Sequence, residues 1–287
     1  MEGSTTIMAS KKRSLAAFQG ELGAFSHSAG RKLLGVGAAF FPCATFNDVF
    51  AALQADTVTY AIVPMENTLH GSVHENYDHL VDYDFKIIGE TNIRVAHHLI
   101  AMPGTRLRSI QHVFSHPVAL NQCRIFFRNN PQFTAEPFYD TAGSVKMLQQ
   151  QQPQNAAALA SEDAAAIYGG VILKRHLEDD RKNFTRFFLL SKQEGPLAPP
   201  EHAWKTSLVF STANVPGALF KAMACFALRD VNLTKIESRP LRGKPWEYLF
   251  YVDLNGHQEH KPVQNAISNL QEITLFLKVL GSYQPTP

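Results

Sequence analysis

The fold class follows from a stretch near the start of the chain, which reads LAAFQGELGAFS over residues 15–26. Its first four residues are apolar and typical of a buried strand. The two glycines that follow indicate a turn, and helix-like spacing begins at Phe25. Strand, glycine turn and helix in this order begin an α/β unit.

The same alternation continues along the chain. Thr45 is placed to cap a helix, and Tyr60 to Val63 is a buried strand that we expect to stop at Pro64. Further strands are predicted near residues 95–101, 113–114, 133–138, 156–160 and 187–190, with helices opening at Pro117, Thr141 and Ser161. Such alternation predicts mostly parallel sheets, with ligands beyond the carboxyl ends of the strands.

A composition shift marks a second domain. Residues 194–201 hold three prolines and a glycine, which is typical of a linker. We therefore expect a first domain over 14–193, a linker over 194–204 and a second domain over 205–283. The second domain has strand signals at 207–210, 233–238, 248–254 and 275–280, and helix signals at 216–228 and 263–270. This order, βαββαβ, predicts an α+β ferredoxin-like fold.

Composition excludes several classes of protein. The 287 residues are 45% hydrophobic and 18% charged, as in globular proteins, and the net charge of +2 without a long basic run argues against a nucleic-acid partner. No apolar run reaches membrane-spanning length. The three cysteines lie far apart without a C-x-x-C pair, so neither a disulfide framework nor a zinc site is expected. We predict a soluble, cytoplasmic protein whose first 13 residues are a disordered tail.

Polar residues cluster where strands end and helices begin, in the segments 66–72, 115–117, 140–144 and 183–187. Helix amino-termini carry free N–H groups and a partial positive charge, so several of them together would hold an anion. Arg186 adds a permanent cation that can take a carboxylate in a fork. Taken singly, Thr141, Ser115 and Ser161 are better explained as helix caps, and it is their combination with Arg186 that favours a function.

Six motifs in a fixed order resemble a known family. The segments 20–26, 64–73, 115–123 and 183–187 closely resemble prephenate dehydratase, and the segments 214–219 and 232–240 resemble its ACT regulatory domain. The chain departs from the commoner family residues at Glu21, Thr68 and Val118. The resemblance implies an α/β catalytic domain with two lobes, like a type II periplasmic binding protein, followed by the ACT domain.

The implied reaction converts prephenate to phenylpyruvate with loss of water and carbon dioxide, and it uses no cofactor or metal. Thr185 matches the family's essential threonine and is the expected hydrogen-bond donor to the leaving hydroxyl. Arg186 is assigned to the carboxylate of the pyruvyl side chain, or to positioning its loop, because binding the departing carboxylate tightly would slow the reaction. The expected substrate contacts are Asn67, Thr68, Ser115, Gln122, Thr141, Asn183 and Phe187.

The ACT resemblance implies a sensor for L-phenylalanine and a homodimer or homotetramer. Its expected effector contacts are Asn214, Pro216, Gly217, Ala218, Leu219, Glu237 and Ser238. A plainer explanation of Gly217 is that it allows close packing of a helix on the sheet.

Other functions stay open at this stage. Arogenate dehydratase performs the same elimination on the aminated substrate, and a non-catalytic amino-acid-responsive binding protein would share the cleft and the ACT domain. His70, His74 and His79 lack the H-E-x-x-H spacing of a metal site. Ser115 and His116 lack the G-x-S-x-G context of a hydrolase.

Overall fold

Three β-sheets organise the chain in the computed structural model, which describes residues 15–35, 37–194, 203–241, 243–244 and 246–285. The predicted tail falls outside these residues, as does most of the predicted linker. None of the helices in the described residues is long and apolar enough to cross a bilayer.

Two of the sheets are built from the first 194 residues. The elements up to β5 are β1 (Leu15–Gln19), α1 (Phe25–Leu34), β2 (Ala39–Cys43), α2 (Phe46–Gln54), β3 (Tyr60–Asn67), β4 (Gly71–Ser72), α3 (His74–Asp82) and β5 (Lys86–Arg94). They are followed by β6 (His98–Ala101), a 3-10 turn (Leu107–Ser109), β7 (His112–Ser115), α4 (Pro117–Asn121), α5 (Arg124–Asn129), β8 (Thr134–Pro137), α6 (Thr141–Gln151), β9 (Ala156–Ala160), α7 (Glu162–Tyr168), β10 (Val171–Lys174) and β11 (Phe184–Ser191).

Each sheet forms the centre of one lobe. The first lobe has the strand order β2-β1-β3-β11-β5, with β4 paired to β3, and the second has β10-β6-β9-β7-β8. The chain crosses to the second lobe between β5 and β6 and returns between β10 and β11. Strands β6, β10 and β11 run antiparallel to their neighbours. The prediction of mostly parallel sheets is therefore wrong at the crossings, because the chain enters each sheet there in the reverse direction.

The third sheet and its helices occupy residues 205–283, the predicted C-terminal domain. Its elements are β12 (Lys205–Ser211), α8 (Ala218–Ala227), β13 (Leu233–Pro240), β14 (Tyr248–Asn255), α9 (Lys261–Ile273) and β15 (Phe276–Tyr283). The predicted βαββαβ order is present, and the antiparallel strands lie in the order β13-β14-β12-β15. The two helices cover one face of this sheet, where Phe210, Phe226 and Leu270 form a core. The other face packs on the first lobe, where Tyr251 and Leu280 join its core.

Local sequence explains several helix ends. Thr45 and Asp48 form a capping box at the start of α2. Ser161 accepts a hydrogen bond from the backbone N–H of Ala164 and caps α7. The cap of α6 is Asp140, which accepts from the backbone of Gly143, whereas Thr141 is the first residue of the helix.

Strand β3 does not stop at Pro64 as expected, but runs on to Asn67. A β-bulge lies at this point, because Glu66 pairs with Arg186 whereas the next residue of β11, Phe187, pairs with Pro64. Proline donates no ladder hydrogen bond, and a bulge is a place where a strand tolerates it. Because of the bulge, β3 continues past Pro64 and ends at Asn67.

Candidate active site

A cavity of about 660 Å³ lies between the two lobes. Both lobes contribute to its walls, and the residues used below are Gln19, Asn67, His97, Gln122, Thr141 and Thr185. Its position beyond the ends of β1, β3 and β7 agrees with the expected location of a ligand in this class of fold.

Several helices of both lobes point their amino-termini at the cavity. Phe25 of α1, Phe46 of α2 and Thr141 of α6 are first residues of their helices and line it. Among the described residues that line the cavity there is no lysine or arginine. An anionic ligand would therefore be held by helix termini and neutral hydrogen-bond donors.

Thr185 and Asn67 face the cavity together. They pair across β11 and β3, and the Asn67 side-chain amide donates to Thr185 Oγ1 over 2.9 Å. A hydroxyl that accepts this bond keeps its own proton for another acceptor. The pair thus presents a threonine O–H to whatever occupies the cavity.

The Asn67 side chain is fixed by its other partners. Its Nδ2 also donates to Oδ1 of the fully buried Asn183 over 2.7 Å, and its Oδ1 accepts from the backbone N–H groups of Leu69 and His70. These bonds determine which end of the amide faces Thr185. Asn183 therefore acts behind Asn67 and is absent from the cavity wall.

A chain of polar groups crosses between the lobes beside this pair. His97 Nε2 lies 2.8 Å from Gln122 Oε1, and Gln122 Nε2 lies 3.2 Å from His70 Nδ1. Since an amide oxygen only accepts, Nε2 of His97 carries its proton, and the amide nitrogen donates to Nδ1 of His70. Burial lowers the pKa of His97, which favours this neutral form.

His116 contributes a second neutral imidazole to the wall. Its Nδ1 accepts a hydrogen bond from the backbone N–H of Val118 over 3.2 Å and caps α4. Burial lowers its pKa, although the nearby Asp140 acts in the opposite direction. The pKa of Asp140 is itself raised, chiefly by burial.

Three other predicted substrate contacts do not line this cavity, and each has a structural role in the described residues. The hydroxyl of Ser115, which is fully buried, donates to the carbonyl of Leu159 over 2.6 Å. Phe187 lies in the core of the catalytic lobes. Thr68 Oγ1 accepts from the backbone N–H of Phe184 and donates to the carbonyl of Lys182. The sequence shows that the Ser115 hydroxyl lies next to a helix start, but not that a carbonyl of the neighbouring strand β9 accepts its hydrogen bond.

Arg186 does not line this cavity, which favours the second of its two expected roles, positioning its loop, over binding a substrate carboxylate. Successive residues of a strand face opposite sides, so the side chain of Arg186 points away from the cavity wall formed by Thr185. Its guanidinium lies 2.6 Å from Asp253 of the C-terminal domain. Burial opposes the charged form, but Asp253 raises the pKa of Arg186 above its ordinary range.

Sequence reasoning missed Gln19 and His97 as cavity residues, and considered His70 only as a metal ligand. Gln19 ends β1 and His97 directly precedes β6. Their position at or near the ends of predicted strands is the sequence signal that could have identified them as cavity residues. No three His, Cys, Asp or Glu side chains lie close enough to share a metal ion in the part of the chain that the structure describes. His79 packs against Phe50 and Tyr83.

The expected effector segment is exposed at the start of α8. Gly217 has φ +78, and a Cβ placed there would have no atom within 4 Å. Close helix-sheet packing therefore does not explain this glycine, but the left-handed backbone does. Glu237 and Ser238 are neighbours on β13 and face opposite sides of the sheet, and their role as effector contacts stays a prediction.

Comparison with known proteins gives a consistent result. A family model described as prephenate dehydratase matches residues 16–195. Arogenate dehydratase/prephenate dehydratase 2 of Arabidopsis thaliana, a chloroplastic protein by its name, is 42% identical over an alignment 289 residues long, which covers 97% of this chain and 75% of the relative. The bifunctional chorismate mutase/prephenate dehydratase of Aquifex aeolicus is 38% identical over 274 residues, covering 95% of this chain and 74% of the relative.

Two solved structures share the whole architecture. Prephenate dehydratase of Arthrobacter aurescens, solved in complex with L-Phe, has a TM-score of 0.83 and 32% identity over 94% of this chain and 90% of its own. A protein described as GqqA, a novel type of quorum quenching acylase, has a TM-score of 0.87 and 34% identity over 95% of this chain and 98% of its own.

Proposed function

The chain belongs to the prephenate dehydratase family, and we propose that it catalyses the decarboxylative dehydration of prephenate to phenylpyruvate in L-phenylalanine biosynthesis. The observation that carries this proposal is the hydrogen-bonded pair of Thr185 and Asn67 facing the cavity between the lobes.

The chemistry needs little more than a well-placed donor. Loss of hydroxide and carbon dioxide makes the ring of prephenate aromatic, so the intrinsic driving force is large. Negative charge develops on the departing hydroxyl in the transition state, and Thr185 donates to it there. A preorganised donor of this kind is worth roughly 3 to 4 kcal/mol. Asn67 supplies the preorganisation because it occupies the acceptor side of the threonine oxygen.

The two carboxylates of prephenate bind without a strong cation. The amino-termini of α2 and α6 and the neutral donors of the wall, among them Gln122, supply the attraction. A guanidinium on the departing carboxylate would stabilise the ground state and raise the barrier. The placement of Arg186 outside the cavity wall supports this division of roles.

Arogenate is the alternative substrate, because it differs only in carrying an amino group in place of the keto group of the side chain. The relatives include proteins named for both activities. The deciding experiment incubates the purified chain with prephenate and with arogenate in parallel, and follows phenylpyruvate and phenylalanine. We expect phenylpyruvate from prephenate, and formation of neither product would leave a non-catalytic binding protein.

The C-terminal domain is proposed to be an ACT domain that binds L-phenylalanine. Its βαββαβ order and the open, left-handed Gly217 at the start of α8 support this assignment. The related protein of Arthrobacter aurescens was solved with L-Phe bound. The amino-terminus of α8 offers N–H groups to a carboxylate.

We also propose a homodimer or homotetramer. The C-terminal domain exposes large apolar side chains that include Phe220, Leu228, Ile236 and Leu275. We infer that these side chains take part in an interface between subunits, and sedimentation at several protein concentrations tests it. A cytoplasmic location is proposed because Cys43, Cys123 and Cys225 are all free and buried, as in proteins of reducing compartments.

A further inference from the structure

A buried network of charges lies directly behind the catalytic pair. Thr185 pairs with Asn67 across β11 and β3, and the next residues back, Arg186 and Glu66, pair with each other. Since side chains alternate along a strand, the first pair faces the cavity and the second faces the C-terminal domain.

The network joins two domains of the chain. Arg186 Nη1 lies 2.6 Å from Asp253 Oδ2 on β14, and Arg186 Nη2 donates to the Tyr283 hydroxyl on β15 over 3.0 Å. Lys235 on β13 pairs with Glu66. Six charged side chains take part, three cationic and three anionic: Arg186, Lys205, Lys235, Glu66, Glu90 and Asp253.

Each member of the network is satisfied. Tyr283 accepts from Arg186 and lies 2.6 Å from Ser207 Oγ, which in turn donates to Asp253 Oδ1. Glu90 accepts from the Arg186 Nε and from Lys205. Arg186, Glu90 and Asp253 are 9%, 7% and 6% exposed, so the centre of the network is desolvated, whereas the Glu66 side chain at its edge is 34% exposed.

A buried ion cluster is a poor source of stability, because desolvation of the charges offsets most of their attraction. The cluster does fix the positions of the strands that carry it, because the charged side chains satisfy one another only in a single arrangement. The backbone fixed by this cluster belongs to the two strands that carry Thr185 and Asn67.

We propose that Arg186 is a positioning residue. Through the pairs Asp253–Arg186 and Lys235–Glu66, the C-terminal domain fixes the position of strands β3 and β11 relative to each other. It thereby fixes the hydrogen bond from Asn67 to Thr185. The proposal rests on the function assigned above to Thr185, and it gives the C-terminal domain a direct route to the rate of the chemical step without any contact with substrate.

The test compares two isosteric changes at interdomain ion pairs. Asp253→Asn removes a charge behind Thr185, whereas Asp78→Asn removes one from the Arg239–Asp78 pair, which joins β13 to α3 instead. We expect Asp253→Asn to lower kcat roughly tenfold or more with KM within twofold, since small displacements of a catalytic group are costly. Asp78→Asn should leave both constants within twofold.

A second variant covers the case in which Asp253→Asn fails to fold. Tyr283→Phe keeps the buried ring and removes only the hydroxyl between Arg186 and Ser207. It should lower kcat in the same sense by a smaller factor, about threefold. Arg186→Lys keeps the charge but not the fork, and it should lower kcat without raising KM.

Three kinetic results overturn the proposal. A rise in KM of tenfold or more with unchanged kcat in Asp253→Asn or Arg186→Lys would mean that the network acts on substrate binding. Equal losses of kcat in Asp253→Asn and Asp78→Asn would mean that the network contributes only to the general stability of the protein. Unchanged kinetics in both Asp253→Asn and Tyr283→Phe would remove any role in turnover.

Amide hydrogen exchange separates this proposal from the assigned reaction. Exchange in residues 184–187 should be faster in Asp253→Asn than in wild type, and unchanged in Asp78→Asn. If wild type turns over neither prephenate nor arogenate but this difference appears, the assigned reaction fails while the positioning contact stands. Equal exchange in the two variants would contradict the positioning contact, whatever the substrate.

Discussion

A single amide orders the candidate catalytic hydroxyl. Asn67 donates to Thr185 Oγ1, and its own orientation is fixed by Asn183 on one side and by two backbone N–H groups on the other. The amide therefore cannot turn to present its oxygen to the threonine without losing several hydrogen bonds. This is preorganisation at the level of one side chain.

Replacement of the threonine tests its role. Thr185→Val keeps the shape and removes the donor, so we expect kcat to fall roughly a hundredfold or more while KM is nearly unchanged. Steady-state kinetics with the substrate that wild type uses measures both constants. Thr91→Val is the matched control, because Thr91 is buried on the neighbouring strand β5 and its hydroxyl has no hydrogen-bond partner in the described residues. Activity of Thr185→Val within threefold of wild type would end the assignment.

The pH dependence of activity follows from His116. Its Nδ1 accepts from Val118 N–H, so protonation at Nδ1 would place two donors against each other. Burial lowers the pKa of His116 from its ordinary value of 6.5. The stability that its neutral form contributes is therefore complete above pH 6.5 and declines as the pH falls below it.

We expect kcat/KM to hold down to about pH 6.5 and to fall in more acid solution, with a midpoint below the ordinary pKa of histidine. His116→Asn supplies an acceptor for Val118 that does not titrate. The decline of kcat/KM in acid, the acid limb of the profile, should therefore become shallower or move to lower pH. The spontaneous reaction of the substrate in acid is subtracted in enzyme-free samples. An identical acid limb in both proteins would assign it to another group.

Among the helices and strands, the sequence predicted those with long apolar runs or clear caps, and it did not predict the strands at the edges of the first sheet. The buried strand at 156–160 and the helix after Ser161 lie where they were predicted, because a fully buried strand and a serine cap leave clear local signals. Strand β2 has a short apolar run, but it contains Pro42 and lies at the sheet edge, and β5 mixes charged with apolar residues, so neither strand was predicted. Helix α3 was missed as well.

The helix predicted to open at Pro117 is divided in two. Helix α4 ends at Asn121 and α5 begins at Arg124, where the Asp179 carboxylate accepts from the backbone N–H groups of Arg124 and Ile125. Asp179 lies more than fifty residues away in sequence. A cap supplied from such a distance leaves no signal in the helix itself, which is why the division could not be predicted.

One glycine fixes the approach of two strands from different domains. Gly281 of β15 has φ +151, and a Cβ there would overlap the backbone of Ile87 on β5. We expect Gly281→Ala to lower the free energy of unfolding by roughly 2 kcal/mol or more, because backbone atoms cannot move aside as a flexible side chain does. Gly104→Ala is the control, since Gly104 has φ +88 but open space around it, and strain alone should cost about 1 kcal/mol. Urea unfolding of the two variants measures the difference, and equal losses would mean that the approach to Ile87 adds nothing.

At the scale of the whole molecule, the catalytic lobes and the C-terminal domain share one apolar core. Tyr251 and Leu280 pack with Tyr77, Leu80 and Ile87 of the first lobe, beside the charge network. The sequence placed the domains in order along the chain but could not predict how they meet. The contact depends on single residues of separate strands, so the sequence left two roles open for Arg186, binding a substrate carboxylate or positioning its loop, and did not reveal its partner Asp253.

Binding of L-phenylalanine to the C-terminal domain is the prediction at this scale. Gly217 precedes α8 in a left-handed conformation, and the space around it is open. A valine there is strained and places a branched side chain at the helix amino-terminus, where a carboxylate would dock. We therefore expect the full-length chain to bind L-phenylalanine in a calorimetric titration and Gly217→Val to bind at least tenfold more weakly.

Gly104→Val is the matched control for that titration, because it introduces the same strain in the second lobe. It should bind L-phenylalanine as wild type does. For the effector to change turnover it must bind one global state of the protein better than another, with a coupling of roughly 1 to 3 kcal/mol. If that coupling runs through the charge network, Asp253→Asn should still bind L-phenylalanine but respond to it several-fold less in rate. Equal binding by wild type and Gly217→Val, or no binding by wild type, would remove the start of α8 from the effector site.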